Sequence, residues 1–194
     1  MALRNVCFAW LLVVAGVCCA HELPTVKTEL NEKLRGLLAS ATSTEVFRLT
    51  GDTERDHDEQ NWKRGPTWNN ERTAEITAKF LSDDTYLFSM KNRCIPRPGA
   101  VFRMKSEKGT VDVAFCFECS MLQFLKGGSG LILFDPSRSY WTRLAKEAFP
   151  DDAAIQSLKG KDMPLEEKKR LNEELSRLAK ELEAKRAQKD GDKK

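Results

Sequence analysis

The sequence predicts an α+β fold: an antiparallel sheet of about four or five strands, packing helices and a long charged C-terminal helix. Three observations predict it. Between residues 99 and 135, short runs rich in Val and Phe are separated by Gly-containing turns, the pattern of an antiparallel meander. Residues 25–40, 71–81 and 136–149 carry apolar positions at helical spacing. The last 34 residues hold 20 charged ones, with leucines three or four apart.

The elements follow in order. Val26, Leu30, Leu34, Leu37 and Leu38 place one apolar face on a helix over 25–40. Residues 44–50 read as a strand closed by Gly51, and 51–70 as a polar loop in which Gly65-Pro66 marks a turn. A helix over 71–81 has Ile76, Phe80 and Leu81 on one face and Asn70 as its N-cap. Strands are expected at 86–90, 100–105, 111–118, 121–125 and 131–134. The turn at 107–109 uses Gly109 for the awkward dihedral. Asp135-Pro136 opens a helix that buries Trp141, Leu144, Ala145 and Phe149, Pro150 stops it, and a short helix follows at 151–158.

Composition bounds the function. Of the 194 residues, 41% are hydrophobic and 31% charged, which excludes a polytopic membrane protein and a wholly disordered chain. A net charge of +3 gives no basic field, so nucleic acid is not an expected partner. Residues 1–20, MALRNVCFAWLLVVAGVCCA, combine Arg4, an uncharged run over 6–17 and a small residue, Ala20, at the cleavage position. That is a secretory signal peptide. The run falls short of the roughly 20 apolar residues of a spanning helix, so no transmembrane segment is expected after cleavage. The protein is therefore expected to be exported, periplasmic or extracellular. Lipid anchoring is the lesser reading, because Val17 stands where a lipobox places its cysteine. The chain divides into the signal peptide at 1–20, a globular domain at 21–160, and an amphipathic helix with a disordered end at 161–194.

Cleavage removes Cys7, Cys18 and Cys19 and leaves Cys94, Cys116 and Cys119 in an oxidising compartment. On a regular strand, Cys119 shares the core face with Val111, Val113, Phe115 and Phe117. Cys116 falls on the other face, between Asp112 and Glu118. The two cysteines converge only if the chain turns at 118 or 119. With one Cys-x-x-Cys, no following His and no helix opened by it, zinc ribbon, haem attachment and thioredoxin chemistry are all disfavoured. The reading is one structural disulfide, Cys94 with Cys116 or Cys119, plus one buried thiol. Its alternative is a three-thiolate site for zinc or copper built from Cys94, Cys116 and Cys119.

The Cys94-x-Pro96-Arg97 segment, followed by Cys116-Phe117-Glu118-Cys119 and then Phe134-Asp135-Pro136, resembles a group of secreted bacterial proteins and lipoproteins with no established activity. The resemblance covers roughly residues 84–158. It implies export and a common β-rich core. Pro98 stands where a histidine often follows the Pro-Arg of that group, so a metal ligand supplied there is lacking in this chain.

Other constellations read as structure. Asp52, Glu54, Asp56 and Asp58 begin like a calcium loop, but His57 replaces the glycine and Lys63 the closing glutamate. Trp62 and Trp68 cover the core rather than form a ligand platform. His21 and His57 are the histidines left after cleavage, and no Ser-His-Asp pattern appears. Gly127-Gly128-Ser129-Gly130 lacks the lysine and helix of a phosphate loop. In the tail, Leu171, Leu175, Leu178 and Leu182 form a stripe, and the ordered pairs Glu166-Arg170, Glu173-Arg177 and Glu181-Lys185 support a helix over 164–187. The stripe docks on its own domain or serves helix-mediated association. The expectation is an exported, non-enzymatic, disulfide-stabilised protein that needs no cofactor.

Overall fold

The computed structural model describes residues 24–49, 59, 62–88, 99–125 and 130–191. The signal segment, His21, the acidic run with His57, Cys94 and residues 127–129 lie outside the described residues.

The helix expected over 25–40 is two helices, α1 (Val26–Glu29) and α2 (Glu32–Ala39). Leu30 is extended between them, and Asn31 starts α2 by accepting the Leu34 N–H at 2.8 Å. Val26, Leu30, Leu34 and Leu38 are nonetheless all buried on one side. The apolar spacing was kept while a cap interrupted the backbone.

Among the described residues the sheet has six strands: β1 (Ser43–Leu49), β2 (Trp62–Trp68), β3 (Ala100–Ser106), β4 (Gly109–Cys116), β5 (Met121–Phe124) and β6 (Ile132–Leu133). Their order is β2-β1-β3-β4-β5-β6, with every neighbouring pair antiparallel. The extra strand is β2, which contains the Gly65-Pro66 expected to turn. Proline is tolerated there because β2 is an edge strand. Glycine is required because a Cβ at Gly65 would lie 2.7 Å from Phe149 Cε1 and 3.1 Å from the Val46 carbonyl oxygen. The register of β1 against β2 slips between Glu45 and Phe47. That bulge separates two tryptophans whose spacing of six would otherwise put them on one face. Trp68 packs on the helix side, 5.7 Å from Phe102, while Trp62 packs on the far side, 5.4 Å from Phe47. Gly109, at φ +141°, closes the β3–β4 hairpin.

Three further helices complete the helical layer: α3 (Asn70–Phe80), α4 (Arg138–Ala148) and α5 (Ala153–Gln156). The cap of α3 is Asn69, one residue before the expected Asn70. The strand expected at 86–90 reduces to a single bridge between Leu87 and Leu133, with residues 89–90 outside the described set. Asp135 does not cap α4, which follows a 3-10 turn at Asp135–Ser137. Asp162 serves instead, accepting the Ser139 N–H and Oγ–H at 2.6 Å each. The charged tail forms α6 (Leu165–Gly191). No helix of the described residues is long and apolar enough to cross a membrane.

One face of the sheet carries Val46, Phe102, Val113, Phe115, Leu122 and Phe124 against the helices. Trp141 of α4 is fully buried, with its ring 4.5 Å from Phe80 and 4.9 Å from Phe115. Its indole N–H donates to Ser137 Oγ at 2.9 Å, and that hydroxyl donates to the Thr85 carbonyl at 3.0 Å.

An ion pair ties the sheet to α5. Arg48 Nε donates to Asp152 Oδ2 at 2.8 Å, while Asp152 Oδ1 accepts the Ile155 N–H at 2.9 Å. The Arg48 guanidinium and these amides hold the Asp152 carboxyl below its usual pKa. A depressed acid stabilises the fold above its unfolded pKa of about 3.9 and loses that contribution as pH falls through its lower folded value. Asp152→Ala is therefore expected to cost about 1–2 kcal/mol at pH 7. In urea titrations repeated down the pH scale, the gap to wild type should shrink below about pH 4.

Candidate functional site

The cysteines expected to carry the chemistry lie on the sheet face turned away from α2, α3 and α4. The strand expected over 111–118 ends at Cys116. Residues 117–120 form a turn, and Ser120 takes a φ of 52°. That turn overturns the strand-parity placement of Cys119. Phe117 keeps to the aromatic core, stacked 5.8 Å from Phe115, but Cys119 swings to the face of Cys116. The turn that convergence would require at 118 or 119 forms, and it does so without glycine.

The turn is held by an unexpected residue. Arg138, at the start of α4, donates from Nη1 to Ser120 Oγ at 2.5 Å and from Nη2 to the Phe117 carbonyl at 2.8 Å. Its Nε donates to the Lys159 carbonyl at 3.1 Å. The Phe134 N–H donates to the Ser120 carbonyl at 2.8 Å. One guanidinium thus spans both ends of the turn and satisfies backbone that the ladder has released.

Cys116 is 1% exposed and Cys119 6%. They pack with Leu87, Met121 and Leu133, and Met163 and Leu171 lie over the patch. Thus the first turns of α6 roof the cysteines. Glu118 is exposed on the turn. Asp112, expected as a second carboxylate beside the thiol, belongs to a different group. Arg103, directly opposite it on β3, donates from Nε to Asp112 Oδ1 at 2.7 Å and from Nη2 to Oδ2 at 3.1 Å. Nη2 also donates to Glu59 at 2.7 Å. The guanidinium lies 5.2 Å from the Phe47 ring centroid and 5.1 Å from that of Trp62. These carboxylates push the Arg103 pKa upward and fix its charge.

The three sequence-predicted ligands are thus divided. Cys116 and Cys119 are brought together, and Cys94 lies outside the described residues. Among the described residues no three His, Cys, Asp or Glu side chains are grouped to hold a metal ion. The leucine stripe of α6 is also divided. Leu171 packs over the cysteine patch and Leu175 is half-buried, whereas Leu178 and Leu182 are 41% and 58% exposed. On the helical side an open cavity of about 510 Å³ lies beside α1 and α2, with Val26, Gly36, Ala39 and Leu81 as its apolar floor. Its rim balances Lys27 and Arg35 against Glu32 and Asp83, and Asp83 is engaged by the Val26 N–H at 2.6 Å.

The sequence pointed to the cysteines and to Leu171, as part of a stripe that could dock on its own domain, but not to Arg138, Arg103 or Met163. The residues Arg138 grips lie 18 and 21 positions away. Arg103 and Asp112 were legible in principle, as opposite charges flanking one hairpin at matching distance.

Two measurements check this geometry. Arg138→Ala should lower stability by about 2 kcal/mol, and Arg138→Lys should recover little, since one ammonium cannot reach both ends of the turn. Arg103→Ala removes the two-pronged guanidinium partner of the buried Asp112 carboxylate and should cost about 3 kcal/mol. Adding Asp112→Ala should restore part of that loss in a double-mutant cycle.

Comparison with protein families, with curated proteins and with solved structures found no match to the chain.

Proposed function

We propose that the protein is exported after loss of residues 1–20 and acts as a non-enzymatic α+β domain stapled by one disulfide, Cys94 with Cys119. The observation that carries this reading is the setting of the two described cysteines. Both are buried among Leu87, Met121 and Leu133, surroundings of inert structural cysteines rather than of activated thiolates. In this reading Cys119 supplies the disulfide sulfur and Cys116 remains a thiol. Position supports the same pairing. Gly99, five residues after Cys94 in sequence, donates its N–H to the Phe115 carbonyl at 2.7 Å, which puts Gly99 beside the end of β4 that leads into the cysteine turn. A bridge closing residues 94–119 would stabilise the fold by about 3 kcal/mol on loop entropy. The apolar run of residues 6–17 and the resemblance to secreted bacterial proteins support export.

Intact mass of the protein recovered from the exported fraction tests all parts together. The expected mass is that of a chain starting at His21. It should rise by about two daltons on reduction, with one cysteine alkylated before reduction in guanidinium and three after. Three alkylated thiols without reductant, with stoichiometric zinc or copper in the native spectrum, would establish the three-thiolate reading instead.

A further inference from the structure

Among the described residues, helix α6 is fastened by few groups, within its approach and first turns. The Met163 N–H donates to the Asp135 carbonyl at 2.9 Å. The Lys168 ammonium donates to the Asp83 carbonyl at 2.8 Å and lies 3.7 Å from Asp84 Oδ1. Met163 and Leu171 are only partly buried where they cover Cys116 and Cys119. Beyond them the helix leaves the body, as the exposure of Leu178 and Leu182 shows. The preceding segment is held differently. Asp162 takes two hydrogen bonds from Ser139, and Gly160 lies so close to α4 that a Cβ would meet the Ser139 Cα at 3.0 Å. The boundary between tightly and loosely held chain is therefore sharp and falls at residues 163–164.

We infer that α6 is a releasable strap, opening about residues 163–164 while the sheet and its helical layer stay folded. Opening uncovers the Cys116 thiol and the apolar patch around it. It also frees Leu171 to join Leu175, Leu178 and Leu182 in one continuous stripe, a surface the closed form divides. Regions that bury few apolar groups open below the global unfolding free energy. The core under α4 buries Trp141, Phe80, Phe102 and Phe115 completely, whereas the apolar cover that the strap adds to the cysteine patch is two partly buried side chains, Met163 and Leu171. The thiol half of this inference rests on the cysteine states proposed above, and the strap itself does not.

Hydrogen exchange on the mature, non-reduced full chain is the decisive experiment. Amides of α6 should exchange through an opening insensitive to urea, while those of β3 and β4 exchange only by global unfolding. Iodoacetamide labelling of Cys116 in native buffer should speed up by at least about tenfold in Leu171→Asp and in Lys168→Ala, with the urea midpoint unmoved. Leu182→Asp, on the projecting half, should leave the rate unchanged. Exchange of α6 only through global unfolding would overturn the strap, as would labelling that rises no more than a lowered urea midpoint explains. A thiol count other than one in guanidinium would overturn the disulfide reading alone, with exchange still judging the strap.

Discussion

The arrangement depends on the burial of Trp141. Its ring fills the space between α3 and the middle strands, touching Phe80, Phe102 and Phe115. A buried indole needs a partner for its N–H, and Ser137 provides it. Because Ser137 is also bound to the Thr85 carbonyl, one polar chain fixes where α4 begins relative to the segment after α3. Arg138 is the next residue. Its reach to the turn at 117–120 is set by the register that Trp141 and Ser137 impose. The cysteine geometry is thus a downstream result of core packing.

The sheet has two unequal faces. The helical side is a continuous aromatic and aliphatic core. The other side is divided into an ion-pair region around Arg103 and Asp112, a small cluster of Leu49, Val101 and Ala114, and the cysteine patch. On this second face a charged side chain is retained by opposite charge and by the rings of Phe47 and Trp62. The charged C-terminal helix finds its place here because Leu171 is apolar on an otherwise polar surface.

Much of this architecture was legible in the sequence, and the limits have physical causes. The meander was readable because two apolar runs flank a glycine turn, and Val111, Val113 and Phe115 fell on one face as their spacing requires. The strand β2 was hidden because its glycine and proline ordinarily stop a strand, and only packing against Phe149 explains the glycine. Cys119 was misplaced because parity holds only while the strand continues. The turn that ends β4 depends on Arg138 and on a strained Ser120, neither of which leaves a local pattern. Asp162 as the cap of α4 was equally invisible, since it comes from 23 residues downstream of the amide it binds.

The edge strand β2 has a consequence for how the protein behaves in a concentrated setting. An outermost strand exposes unpaired amides and carbonyls, a template on which a second chain can add and propagate. Here that margin carries Pro66, which has no amide to offer, a bulge that bends the ladder, and the cations Lys63 and Arg64. The opposite margin, β6, is two residues long. Among the described residues, both margins of the six-stranded sheet thus carry features that disfavour the addition of a further strand.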